Sequence, residues 1–377
     1  MEDLNFNLNY YGIYINFFLL VFLSFKSYTE QIISKEVFYL FLLSCLGPIL
    51  FHNFLLIDSV FPDQGGYFDN IEEFRHSYDF SKLRHAYQSQ YLAKLLSIIP
   101  IPYLGTIYAA TFLNKFMLLI LIIYLIKYNY IKDNQFIILL LYPSLFLYSS
   151  LMLKETAIIF LITFSYIYLT QRKFLFCLLG LFLVSLIKPH LAILFGIVFI
   201  FYVMFLILKL NTSYLIFGLL ASLVLLILDQ SILAHLRDKL NMYIYNFYLE
   251  DNNYSSEIIF DRNLLNFNFD SMFFIISNLI SFWFIPFIFN TENIMQLAQS
   301  IENIFVLTVL IYYIYKLYLK NITKAYYIIL SLLFVTAPYA IVVENVGTLA
   351  RYRFSIVFIF VIIIFNELNS LKRKNVE

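Results

Sequence analysis

Three short stretches carry charge where an apolar chain should carry none. Lys154-Glu155, Lys188-Pro189-His190 and Arg351-Tyr352-Arg353 stand at the joins between long apolar runs, with almost no polar spacer around them. A charged side chain at the centre of a bilayer costs about 2.5–3.5 kcal/mol on insertion scales. Such groups therefore face the protein interior and by default suggest a functional site. Lysine offers a point charge, and arginine a planar fork that holds two phosphate oxygens at once. Gathered at one depth, Lys154, Lys188, Arg351 and Arg353, with His190 beside them, would line an anion pocket. A phosphate or diphosphate carried by a lipid sits at that depth. Glu155 and Glu344 are the supporting carboxylates. Taken singly, each cation is equally well read as half of an interhelical ion pair with one of them.

A second group lies upstream. In the stretch from Phe61 through Pro62-Asp63-Gln64-Gly65-Gly66 to Asp69, a proline that stops the preceding helix is followed by a glycine pair that permits a tight turn. A carboxylate on such a turn can accept the proton of a sugar hydroxyl. Asp63, with Asp69 as second choice, is the candidate catalytic group, and Arg75 and His76 support it. A plain solvated acidic turn is the simpler alternative. Asp63, Asp69 and Glu72 leave room for a divalent cation, but no cofactor is called for. His76 and His85, with no third ligand nearby, do not make a zinc motif. Neither a nucleotide-binding glycine loop nor a Ser–His–Asp arrangement can be read.

The elements that position these groups follow from composition. The 377 residues are 62% hydrophobic and 13% charged, with mean hydropathy +0.81, against about 25% charged in a soluble domain. Only a bilayer suits such a surface. A net charge of +1 gives no overall field for nucleic acid. Cys45 and Cys177 fall inside apolar runs and read as small core residues. The start, Met1-Glu2-Asp3, lacks the basic region of a signal peptide, so the first apolar run is expected to be a retained helix.

Spans are expected near Tyr10–Phe25, Val37–Ile57, Ile107–Lys127, Gln135–Leu153, Thr156–Leu169, Phe174–Ile187, Leu191–Leu208, Tyr214–Leu228, Ile304–Tyr318, Ala325–Val343 and Phe354–Phe365. Lys26, Lys35, Lys127, Lys132, Arg172, Lys173, Lys209, Lys316, Lys320, Lys324 and Lys372-Arg373-Lys374 then share the inner side. That holds only if Met272–Asn290, with Trp283 and Pro286, re-enters from the outer face instead of crossing. The fold class is all-α: a polytopic transmembrane helical bundle of about eleven spans, one transmembrane domain over residues 1–377. Its N-terminus is outside and its C-terminus inside. Two long outer loops, 58–106 and 229–303, carry amphipathic or re-entrant helices. Phe80, Leu83, Tyr87, Tyr91, Leu95 and Ile98 form one interfacial stripe, and Ile232, Leu236, Leu240 and Tyr243 another. The basic groups of the three charged stretches then lie on the outer side, against the inside-positive rule.

The run from Tyr142-Pro143-Ser144 to Lys154-Glu155 resembles one in membrane glycosyltransferases of the C-type superfamily and related surface-polysaccharide proteins. There a Pro-Ser helix ends in a basic–acidic pair at the outer face. Ile187-Lys188-Pro189-His190 is similar to the basic-Pro pair one hairpin later. Gly347-x-x-x-Arg351-Tyr352 looks like the segment before the last helix, and the Asp-bearing first outer loop fits the position of the family's acidic base or site organiser. The order of these short motifs covers most of the chain. The resemblance implies a transferase that uses an undecaprenyl-linked sugar or oligosaccharide on the outer leaflet of a bacterial inner membrane. A repeat-unit polymerase for O-antigen or capsule comes first, and a transferase of single sugars from a polyprenyl monophosphate second. Membrane lipids, a chain-length regulator and other polysaccharide-assembly proteins are the implied partners. The competing class is transport, as a lipid-linked oligosaccharide flippase or a solute transporter. Paired repeats, with charges near the midplane on both halves, would favour it.

Overall fold

A bilayer leaves the backbone no hydrogen-bond partner but itself, so apolar runs become helices. The computed structural model describes residues 2–54, 64–65, 67–71, 106–209, 277, 279–291, 294–342 and 346–374, and every regular element among them is helical. In chain order these are α1 (Glu2–Thr29), α2 (Lys35–Cys45), α3 (Gly47–Phe54), α4 (Ile107–Lys127), α5 (Asp133–Leu140), α6 (Pro143–Tyr148), α7 (Glu155–Thr170), α8 (Phe174–Ile187) and α9 (Pro189–Tyr202). After them come α10 (Ile294–Lys320), α11 (Ile322–Val342) and α12 (Val346–Lys374). Among the described residues six helical stretches are long and apolar enough to cross a membrane: Gly12–Thr29, Ile107–Lys127, Pro189–Ile207, Gln296–Lys320, Ile322–Ala340 and Gly347–Leu371. Helices α7 and α8 are shorter and equally apolar. The chain is an integral membrane protein.

Two helices form the centre. Along α12, every residue from Arg353 to Asn369 is buried; the helix packs on α7, α10, α11 and α6. Helix α4 is buried almost all round, between α1, α3 and α7. The outer helices turn large apolar side chains away from the protein. Phe18 and Phe22 on α1, Leu175, Leu178 and Phe182 on α8, and Ile311 and Tyr315 on α10 are exposed. A soluble protein rarely shows so much apolar surface; here lipid covers it.

The structure divides two spans that the sequence reads as continuous. The described part of Val37–Ile57 is α2 and α3, broken at Leu46 before Gly47-Pro48, and Gln135–Leu153 holds α5 and α6, broken at Leu141-Tyr142 before Pro143. Proline has no N–H and its ring clashes with the preceding turn, so it opens a new helix where it cannot continue an old one. The described part of Met272–Asn290 is helical over 279–284 and then irregular, with one short turn at Ile288–Asn290. The stripes beginning at Phe80 and Ile232, and the span Tyr214–Leu228, lie outside the described residues.

Contacts show which helix ends lie together. Asn369 Nδ2 donates to the Tyr130 carbonyl (3.1 Å) and to Gln135 Oε1 (2.8 Å), Gln171 bonds the Tyr130 hydroxyl, and Lys324 pairs with Glu367. The connections at 128–132, 171–173 and 321 therefore share one end of the bundle, here called the lower end. Lys127, Lys132, Arg172, Lys173, Lys320 and Lys324 lie on or beside them. Gln31, Asn129 and Arg172 each follow a helix in the left-handed region, with φ of 57, 55 and 60°. In each case the next residue donates back to the last turn: Ile32 N to Ser27 O, Tyr130 N to Leu125 O and Lys173 N to Tyr168 O. That closure satisfies carbonyls which would otherwise end the helix unpaired.

Candidate functional site

The site is built around a length of chain that is not helical. Ser149 and Ser150 turn their hydroxyls back onto Leu145 O and Phe146 O, each at 2.5 Å. Such bonds compete with the helical ladder, and α6 ends there. From Ser149 to Leu153 the chain is fully buried yet irregular. Irregular backbone is tolerated at membrane depth only inside protein or against a water-filled cavity, with its polar groups satisfied. Side chains from elsewhere do this. Asn114 Nδ2 on α4 donates to Leu151 O (2.6 Å) and Leu153 O (3.1 Å), Lys115 Nζ donates to Ser149 Oγ (2.7 Å), and Gln64 Oε1 accepts from Met152 N (3.0 Å). Gln64 belongs to the Pro-Asp-Gln-Gly segment, so that segment is tied to the chain two residues before Lys154.

Gly47 sets how closely α3 meets this stretch. A Cβ built there would collide with Ser150 Oγ and stand 3.0 Å from Ser150 Cβ. Gly47→Ala is expected to destabilise by about 1–3 kcal/mol, the usual effect of overpacking. Adding Ser150→Gly should restore most of the loss, measured as thermal unfolding in detergent. If the double variant is no better than the single one, this contact does not set the spacing.

Lys154 and Glu155 begin α7 at the end opposite Tyr130, the upper end. Glu155 is fully buried, and Arg351 Nη2 (3.1 Å) and Nε (3.2 Å) both bond its Oε1. Lys188, at the join of α8 and α9, is 2% exposed, and its ammonium lies 3.4 Å from the ring centroid of Tyr352. A cation over an aromatic face is attracted by the ring's quadrupole. His190 and Tyr339 approach at 5.7 Å, and Tyr339 and Tyr352 at 4.8 Å. Lys154, Lys188 and Arg351 all act electrostatically on Glu155. The ends of α7, α8, α9 and α12 thus bring three cations and one carboxylate together. No family model, curated protein or solved structure matches this chain.

Arg353 is placed elsewhere. Residues two apart on a helix differ by about 200° in direction, so Arg351 and Arg353 cannot face one pocket. Arg353 Nη1 donates to Phe282 O (2.6 Å) and Ile285 O (3.0 Å), at the C-terminal end of the turn 279–284. There a guanidinium meets two carbonyls, the one of Ile285 also accepting from Asn303 Nδ2 (3.1 Å), and the negative end of the local dipole. It holds that segment against α12. Glu302 on α10 lies near Arg353, its Oε1 accepting from Ser144 N (3.1 Å) at the start of α6. Asp69 is exposed on the turn 67–71, whose Tyr67 and Ile71 are buried. Asp63, Glu72, Arg75, His76, His85 and Glu344 lie outside the described residues. Among the described residues no three His, Cys, Asp or Glu side chains are placed to hold a metal ion, and Cys45 and Cys177 are buried thiols.

Gln64, Asn114, Lys115 and Glu302 are not among the residues that the sequence singles out. Asn114-Lys115 carried a signal, a polar pair in the middle of the apolar run Ile107–Lys127. A buried lysine in a span is itself a reason to look for a partner.

Proposed function

We propose that this chain is a membrane glycosyltransferase that acts on a polyprenyl-phosphate-linked glycan at the outer face of a bacterial inner membrane, most readily as a repeat-unit polymerase. The convergence of Lys154, Lys188 and Arg351 on one buried carboxylate at the upper end carries this reading. The grouping of basic residues at the lower end supports an inward lower end and an outward site, within a bundle of about eleven crossings.

In this mechanism Lys154, Lys188 and Arg351 hold the lipid phosphate, with His190 at the rim. The bond between the anomeric carbon and the phosphate oxygen breaks, and the lipid phosphate leaves with the electron pair. An acceptor hydroxyl forms the new glycosidic bond and gives its proton to Asp63 or Asp69. Cations fixed where charge develops commonly contribute more to catalysis than any other effect. The bond from Gln64 to Met152 supports placing the acidic loop beside the cluster. The donor is an undecaprenyl-linked oligosaccharide, and a chain-length regulator is a natural partner.

Lys154→Ala and Lys188→Ala, expressed in a strain lacking the native gene, are expected to insert at normal levels and make no polymer. A glycan ladder reads the result. Single capped repeats identify a polymerase, and a truncated repeat identifies a transferase of single sugars. Full-length polysaccharide from both variants would remove the cluster from the chemistry.

A further inference from the structure

A helix that breaks inside a membrane leaves a gap beside the break. Helix α5 stops at Leu140, and the chain restarts as α6 at Pro143. Helix α10 packs on α12, and a groove lies where these two meet the end of α5. Its floor, with Val306 of α10 and Val357, Phe358 and Val361 of α12, is buried. Its rim is Ile138, Phe305 and Val309, of which Phe305 is 46% exposed and the others half-buried. The rim runs on into exposed Leu141, Ile304 and Ile311, part of the apolar surface that lipid covers. Tyr142 supplies the one polar side-chain atom of the lining, and its hydroxyl lies beside Glu302. A buried water needs two to four polar partners, so water does not suit these walls. The space is about 300 Å³ even counted to its open side. One helical turn with its side chains, a cylinder about 10 Å wide and 5.4 Å long, takes about 400 Å³. An extended peptide would set unpaired N–H and C=O groups against hydrocarbon. A slender apolar chain fits.

We infer that this groove seats one acyl chain of a bilayer phospholipid, and that the seated chain braces α10 against α5 beneath the bond from Ser144 N to Glu302. Depth places the lipid. Val357 to Val361 stand six to ten residues below Arg351 on α12, about 9–15 Å at 1.5 Å per residue, within the upper half of a hydrocarbon core of about 30 Å. The chain does not belong to a lipid held at the cationic cluster. Arg351, Phe354, Phe358 and Val361 follow one another at helical spacing along α12, so Phe354 stands between the groove and Arg351. Phe354 is fully buried, and the rings of Tyr142 (5.6 Å) and Tyr148 (5.2 Å) pack on it. These three rings close the upper end of the groove, which opens sideways to the bilayer, so its occupant comes from the surrounding leaflet. One turn above Phe305 and Val306 on α10, Glu302 accepts from Ser144 N (3.1 Å) at the start of α6, the helix that leads to Lys154. A chain wedged between α5 and α10 supports that join.

The test uses full-length protein in nanodiscs of palmitoyl-oleoyl phosphatidylglycerol, with a trace of the same lipid carrying a diazirine midway along one acyl chain. Light crosslinks the chain to its neighbours, and peptide mass spectrometry maps the label. Ile138, Phe305 and Val309 are expected to be labelled several-fold more heavily than Ile301 and Ile311, although these are 56% and 59% exposed. Val309→Trp and Ile138→Trp each fill the groove from its rim and should bring its labelling down to that of the open surface. Ile311→Trp should leave it unchanged. Should one groove variant fail to fold, the other carries the test. In detergent, the unfolding temperature of delipidated wild type should rise with added phosphatidylglycerol, as it does for any ligand of the folded state. Ile311→Trp should keep that rise and Val309→Trp should lose it. Labelling that simply follows exposure, or that survives both groove-filling variants, would overturn the seat. A rise that is absent, or that Val309→Trp keeps, would remove the bracing. If excess undecaprenyl phosphate displaces the label, a prenyl chain sits there and the phospholipid assignment falls.

Discussion

Glu155→Ala is expected to leave little protein in the membrane, whereas Glu155→Gln combined with Arg351→Gln is expected to restore the protein and not the polymer. Among the described residues Glu155 is the one carboxylate set between these three cations, and it is buried. Its removal takes away the carboxylate set between buried Lys188 and partly buried Arg351 and Lys154, where water screens their repulsion poorly. Breaking a buried pair from one side destabilises by about 3–5 kcal/mol, because the remaining charge loses its nearest counter-charge where solvation is poor. Arg351→Gln alone should be milder, since Glu155 still has Lys188 and Lys154 beside it. The order of membrane levels by immunoblot and of unfolding temperature in detergent is therefore wild type, then Arg351→Gln, then Glu155→Ala. The double variant should lie above Glu155→Ala, as amide–amide contact replaces the ion pair. A polymer assay on it then separates holding the helices together from binding the lipid phosphate. Wild-type levels of Glu155→Ala would mean that this pair does not hold the upper end.

The parts of this site that were legible in the sequence share a physical reason. Lys154, Glu155, Lys188 and Arg351 sit between apolar runs, where solvation gives no cheap explanation for charge, and the structure brings them together. The illegible parts fail for different reasons. Arg353 stands two residues from Arg351, and the turn of the helix sends it to Phe282 and Ile285 instead. Asn114 and Lys115 vanish into the average of a long apolar span, although Asn114 satisfies the irregular backbone that leads to Lys154 and Lys115 donates to the Ser149 hydroxyl at its start. The breaks at Gly47-Pro48 and Pro143 were written in the chain. A reading that counts about 20 apolar residues per crossing runs straight through them. Gln64 could not be found from pattern at all, because its partner Met152 is 88 positions away.

The lower end holds a second buried network, and its removal should have the opposite consequence for activity. Glu367 on α12 accepts from the hydroxyls of Tyr166 (2.5 Å) and Tyr202 (3.1 Å), and Lys324 pairs with its other oxygen. Asn366 Nδ2 donates to the Tyr166 hydroxyl (3.2 Å), and Lys324 also reaches Ser370 (3.1 Å). One carboxylate thus ties α7, α9, α11 and α12 together. Glu367→Ala leaves Lys324 and two buried hydroxyls without their acceptor and is expected to destabilise by about 3–5 kcal/mol, seen as loss of membrane-inserted protein. Replacing both charges, Lys324→Met with Glu367→Met, removes the desolvation cost of each partner, and such exchanges are often neutral or stabilising. The double variant should therefore insert well and still make polymer, because the network lies at the end of the bundle away from Lys188 and Arg351. A transporter predicts otherwise. If Glu367 carried a proton or ion across the membrane, the folded double variant would be inactive. The two double variants are thus opposite tests: one should fold without function at the upper end, the other should fold with function at the lower end. If the lower-end variant folds and loses all activity, coupled transport becomes the better account of this chain.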